Sequence, residues 1–192
     1  MSYTEIYGFS TSGDAYLYGE VKNAWRGGMA IWNILEERYL PQYRPSYVPN
    51  YIPDDRVEDY LHYKPSRCGA CMDDGAMKEI WKLFDDERLK DCEKIALAST
   101  FDRVIVIKEN LPKLVAAFRE FDGQTSLKEQ ADIIEKMVED DDCIAIGFNQ
   151  TSVNSDTWAN FGGYDEETDE YLPYNILDGD KHWELFSDFN EG

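Results

Sequence analysis

Cys68-Gly69-Ala70-Cys71 is the one spacing in this 192-residue sequence that could hold a metal or run a redox cycle. A structural zinc needs four ligands in a tetrahedral set, and Cys92 could serve as a third. No second close pair follows, so Cys143, His62 and His182 would have to be recruited one at a time. A redox pair sits at a helix N-terminus directly after a strand. Here the helix expected at about 75–89 begins several residues later, and no strand precedes it. The motif therefore reads as ordinary thiols in a loop, and neither a cofactor nor a metal is expected. Nucleophilic catalysis needs a base beside a Cys or Ser. The sequence has two histidines, and nothing ties either to Cys68 or Ser152. With 39 carboxylates, a glycosidase-like pair neither follows nor is excluded. No residue is singled out as catalytic.

The densest charge is Asp165-Glu166-Glu167-Thr168-Asp169-Glu170, flanked by Tyr164 and Tyr171. A calcium loop would need its acids in D-x-D-x-D-G order with a later Glu, and neither this run nor Asp178-Gly179-Asp180 supplies it. In an extended strand, alternate carboxylates would stand about 6.6 Å apart, which could imitate a phosphate backbone. A solvated acidic loop is the plainer alternative. The candidate partner-binding residues are Asp165, Glu166, Glu167, Asp169 and Glu170 for charge. Tyr164, Tyr171 and Trp158 would be aromatic anchors.

The net charge is −20, and it is uneven. From residue 137 onward fifteen acids face the single Lys181, a net −14, which leaves −6 for the first 136 residues. Direct nucleic-acid binding is disfavoured, because neutralising phosphates takes a basic face. Anionic membranes are disfavoured for the same reason. A basic protein, of the kind that itself binds nucleic acid, is the favoured partner. The charge does not indicate an oligomeric state, and high charge alone also keeps proteins in solution. No apolar run approaches the ~18 residues of a membrane helix. The opening MSYTEIYGF has no basic or apolar leader, so a cytoplasmic protein with reduced thiols is expected.

The elements that must position these residues centre on 95–121. Val104-Ile105-Val106-Ile107 is a β-branched run suited to a strand covered on both faces. Asn110 then offers an N-cap and Pro112 fits the first turn of a helix. Leu111, Val115 and Phe118 form its apolar stripe, and Asp122-Gly123 ends it. Tyr3–Val21 predicts a hairpin turning at residues 10–14. Asn23 caps a helix over about 24–40, with Trp25, Met29, Trp32 and Tyr39 on one side. The bend Arg26-Gly27-Gly28 lacks the surroundings of a phosphate loop. Met77, Ile80, Trp81 and Phe84 mark the helix over 75–89. Residues 91–98 suit a short helix through Cys92, Ile95 and Ser99, or a strand through Ile95-Ala96-Leu97; the strand is the expectation. Ser126-Leu127-Lys128-Glu129 reads as a capping box opening a helix with Leu127, Ala131, Ile134 and Val138 inward. Residues 143–148 predict another buried strand. Trp25, Trp32, Trp81, Val104, Ile105, Ile107, Val115, Phe118, Ile144 and Ile146 are expected to be buried together.

Between residues 41 and 65 lie five of the seven prolines, at 41, 45, 49, 53 and 65, interleaved with tyrosines. That composition is expected to rule out a regular helix or a central strand. The expected architecture is one α+β domain over residues 1–192. A small mixed or antiparallel sheet begins with the N-terminal hairpin and is covered by about four helices. A long Pro/Tyr-rich excursion spans 41–73, and an acidic, aromatic segment at 149–192 packs on the body.

The opening MSYTEIYGFSTSGDAYLYGEVKNAWRGGMAIWNILEERYLP resembles small acidic proteins carried by phages and prophages of Gram-positive bacteria. The resemblance covers about the first forty residues and transfers no site residue. It implies a place among phage-encoded inhibitors of host-defence nucleases, anti-CRISPR proteins among them, acting in the host cytoplasm. The leading expectation is thus a non-enzymatic acidic binder acting by charge mimicry. The alternatives are a small carboxylate-based, metal-dependent hydrolase or nuclease, and a structural or assembly protein of the phage particle.

Overall fold

The aromatic, alternating N-terminus forms strands β1 (Tyr3–Phe9) and β2 (Ala15–Lys22), paired antiparallel. Gly13 takes φ +89° in the connecting turn, a conformation that favours glycine. The computed structural model describes residues 3–22, 28–41, 51–61, 79–151 and 158–187. Helix α1 (Gly28–Tyr39) buries Ile31, Trp32 and Leu35. Pro53 starts a 3-10 turn (Asp54–Arg56) that leads into the five-residue helix α2 (Val57–Leu61). A helical turn thus fits between Pro53 and Pro65, where the proline density had pointed to no regular helix. Helix α3, described at residues 79–82, tightens into a 3-10 turn at Leu83–Asp85 and stops. Asp86 there accepts hydrogen bonds from Arg88, so the expected continuation to Leu89 is not made.

Residues 91–98 form helix α4 (Asp91–Ala98), not the expected strand. Strand β3 (Val104–Ile107) lies between strand β4 (Ala145–Gln150) and the two-residue strand β7 (Trp183–Glu184). Both edges of β3 are therefore occupied, and a strand at 95–97 has no place beside it. Ala and Leu favour the helix, and the Glu93 carboxylate accepts the Lys90 N–H at its start (3.0 Å).

Helix α5 (Leu111–Glu120) follows β3 after a 3-10 turn, with Pro112 in its first turn. Asn110 does not cap it; its Nδ2 donates to Glu184 on β7 instead (3.1 Å). Helix α6 (Leu127–Val138) also lacks the expected capping box. Ser126 accepts from Gln130, and Thr125 Oγ1 takes the Leu127 N–H.

The sheet order is β2-β1-β4-β3-β7, antiparallel except for the parallel β3–β7 pair. Strand parity divides the core in two. Ile6, Val104, Val106, Ile146 and Phe148 face the helices, with Trp32, Leu97, Leu114, Phe118 and Ile134 packed against them. Tyr7, Phe9, Ile105 and Ala145 face the other way and are covered by Trp158 and Tyr174 from the acidic segment. The expected single cluster is corrected accordingly: Ile105 belongs to the second core, and Ile144 is half-buried beside it. Trp81 is 47% exposed because Ile80, Leu83 and Phe84 turn inward instead. Ile107 ends its strand at the surface. Trp25 lies outside the described residues.

An ionic joint ties α1 to α4. Glu93 is buried and accepts from Arg38 (2.7 Å), from Tyr39 Oη (2.5 Å) and from the Lys90 N–H. Burial raises the Glu93 pKa, but these three donors outweigh it and leave the carboxyl below its ordinary range. Tyr39 is pushed up to about 12, by burial first and then by the bond to Glu93.

Candidate interaction surface

Two buried aromatics bracket the acidic run and set its position. Trp158, 5% exposed, lies on the glycine of β4: a Cβ on Gly147 would stand 2.6 Å from its Nε1. That Nε1 donates to the Phe148 carbonyl (3.1 Å), and the ring meets Phe9 edge-on at 5.2 Å. Tyr174 follows the acidic run and packs on Trp158 at 5.4 Å. Its backbone N–H donates to the Trp158 carbonyl, and its carbonyl accepts the Ala15 N–H at the start of β2. Asn175 donates to the Ser12 carbonyl and to the Asp14 carboxylate (2.8 and 2.9 Å).

Between those anchors the chain forms strands β5 (Gly163–Asp165) and β6 (Glu170–Leu172), a two-stranded sheet apart from the main one. Gly162 is demanded by packing, since a Cβ there would come 2.1 Å from the Pro173 carbonyl oxygen. Glu166, Glu167 and Asp169 occupy the turn, with Asp169 in the left-handed region at φ +58°. Asp165 and Glu170 form the cross-strand pair below them. The acids make a charged tip, and the regularly spaced strand ladder does not form. Asp165 accepts the Glu167 N–H (2.8 Å), which with the Thr168 side chain lowers its pKa. Tyr164 Oη donates to Asp169, which raises the Tyr164 pKa. Tyr164 and Tyr171 meet edge-on at 5.1 Å. Both are exposed, Tyr171 by 64%, together with Leu172 and the 63%-exposed Leu177.

Of the sequence candidates, the hairpin brings together Tyr164, Asp165, Glu166, Glu167, Asp169, Glu170 and Tyr171 at the surface. Trp158 is placed beneath them in the second core and has no exposed face to offer a partner. Tyr174 belongs to the aromatic segment expected to pack on the body and does so, whereas Asn175 and Gly162, which also seat the hairpin, were missed; Gly162-Gly163 and Pro173 were the available signals.

Beside the hairpin base lies an open cleft of about 630 Å³. Phe161, Gly162, Leu172, Pro173 and Tyr174 line it, with Asp14, Asn175, Asp178, Asp180 and Lys181. Lys181 and Arg103 both approach the Phe161 ring, at 5.3 and 4.3 Å from its centroid. Tyr174 Oη accepts the Lys181 N–H (3.0 Å) and stands 2.9 Å from His182 Nδ1. The hydroxyl and the imidazole therefore share one hydrogen bond, whose donor is set by the His182 tautomer. Burial lowers the His182 pKa against the opposing pull of Asp180. Gly179 passes so close that a Cβ would lie 2.2 Å from Tyr174 Oη.

Among the described residues, no three of His, Cys, Asp and Glu gather where they could hold one metal ion. Cys92 and Cys143 are buried, which raises both thiol pKa values. Cys68, Cys71, His62, Ser152 and the residues at 26–27 lie outside the described residues, as does most of the Pro/Tyr-rich stretch. No described helix is long and apolar enough to cross a membrane. No protein-family model matches the chain, and no curated protein or solved structure is significantly similar to it.

Proposed function

We propose that the protein is a non-enzymatic acidic binder that captures a basic, nucleic-acid-handling protein on the face built around β5–β6. The observation that carries this is the coincidence of exposed apolar groups with one sign of charge. Tyr164, Tyr171, Leu172 and Leu177 are exposed, and residues 162–180 contain seven acids and no Lys or Arg. Of these, Tyr164 and Tyr171 are in contact and Leu172 adjoins Tyr171, so apolar surface gathers on the hairpin, as it does at interaction sites. Carboxylates around it would steer a basic partner, while the tyrosines supply contact area that keeps it bound. The compact tip favours charge complementarity over imitation of an extended phosphate ladder. The resemblance of the N-terminus adds the biological setting to this proposal: a phage-encoded inhibitor of a host-defence protein in the bacterial cytoplasm. No observation favours the hydrolase or the particle-assembly alternative.

The test is kinetic. A basic partner is captured from a bacterial lysate at low salt, purified, and its binding measured across a salt series. Changing Asp165, Glu166, Glu167, Asp169 and Glu170 together to Asn or Gln should slow association at low salt by about tenfold or more and flatten its salt dependence. Tyr171→Ala should instead speed dissociation. If the five-fold variant binds with unchanged rate and salt slope, the hairpin is only a charged surface.

A further inference from the structure

We infer that the cleft beside the hairpin is a socket for an arginine side chain of the basic partner. This rests on the proposed binding function and names the chemistry that function would select. The cleft joins the base of β6 through Leu172 and Pro173, so a segment lying on Tyr171 and Leu172 would reach it directly. The cleft is open to solvent and large enough to admit one side chain of a partner. Leu172, Pro173 and Phe161 offer apolar surface for a methylene stem.

At the polar side, Asp14 is engaged by Asn175 and Ser12. Asp178 and Asp180 have no such partners. Each is exposed, and neither carboxylate accepts a hydrogen bond within the described structure. They flank Gly179, which is held against Tyr174 and keeps the turn close to the aromatic wall. Arginine fits this arrangement better than lysine. Its planar guanidinium can donate in pairs to a carboxylate and lie on an aromatic face, whereas an ammonium is a compact, more strongly hydrated charge. The Phe161 ring stands within reach of two of the chain's own cations, Arg103 at 4.3 Å and Lys181 at 5.3 Å, so an incoming guanidinium would have to take the place of one of them. Lys181 is solvent-exposed, so displacing its ammonium from the ring returns that charge to water, while its backbone stays held by the bond to Tyr174.

Two synthetic peptides of equal length and charge test this, one carrying arginines and the other lysines at the same positions. The full chain should bind the arginine peptide more tightly, on the order of tenfold. Changing Asp178 and Asp180 together to Asn should bring that ratio to about one while leaving the salt dependence of association in place. The five-fold neutral hairpin variant should show the reverse, with slower association of flatter salt dependence and the arginine preference retained. Equal affinity of the parent chain for both peptides overturns the socket alone. A preference that survives in the Asp178/Asp180 variant also overturns it. If neither peptide binds the parent chain, the binding function and the socket both fall.

Discussion

Replacing Trp158 by Ala separates a buried pillar from a surface anchor. The side chain is 5% exposed, donates one buried hydrogen bond, and touches Phe9, Tyr174 and the Gly147 backbone. Truncating a buried Trp costs about 3–5 kcal/mol. Domains of this class have only about 5–15 kcal/mol in total. Urea denaturation followed by far-ultraviolet dichroism should show a lower midpoint and an unchanged slope.

Gly147 provides an internal check on that loss. In the parent chain, Gly147→Ala drives a methyl to 2.6 Å from Trp158 Nε1 and 2.8 Å from Cε2. Overpacking of this kind costs about 1–3 kcal/mol. In the Trp158→Ala background the same methyl enters vacated space, and Ala is less costly than Gly within a strand. There Gly147→Ala should be neutral or stabilising, giving a coupling of at least about 1 kcal/mol in the double-mutant cycle. A parent-like midpoint for Trp158→Ala, or additive effects of the two substitutions, would refute the placement of the indole under β4.

Two further outcomes follow from the titratable groups Glu93, which is buried, and His182, which is partly buried. Glu93→Ala removes the shared acceptor of Arg38 and Tyr39 and should cost about 1–3 kcal/mol at neutral pH by equilibrium unfolding, because Arg38 is partly exposed and keeps Asp122 as a partner. Because the Glu93 pKa is lowered by folding, its contribution is present above the ordinary carboxylate value of 4.5 and lost as the pH falls through the lower folded value. Glu93→Gln should therefore flatten that part of the acid limb, and an identical acid limb would contradict the joint. Burial holds the His182 pKa below its ordinary 6.5, so its neutral form stabilises the fold above that pH, and the contribution fades as acid protonates the ring. Hydrogen exchange at the Lys181 amide should quicken beyond the intrinsic pH effect as the pH falls below 6.5, and His182→Gln should abolish the excess.

What the sequence determined by itself was local. The β-branched run 104–107, the stripe of α5, the amphipathic face of α6 and the aromatic hairpin were legible, because periodicity and turn chemistry act within a few residues. They were enough to place the chain as α+β with an N-terminal hairpin in a mixed sheet. The exceptions share one cause. Ile95-Ala96-Leu97 has the apolarity of a strand, yet it is a helix because β4 and β7 occupy both edges of β3, and β7 comes from nearly eighty residues away. Asn110 and Ser126 have the chemistry of helix caps, but Glu184 and Gln130 engage them instead. Trp81 and Trp158 are the same residue type in comparably mixed surroundings, and only packing exposes the first and buries the second. The tyrosines and carboxylates of 164–171 were visible in the sequence as a charged aromatic run. That they stand on a separate hairpin beside a cleft was decided by long-range contacts of Trp158, Tyr174 and Asn175 with residues 9–15 and 147–148, whose free energy no local pattern encodes.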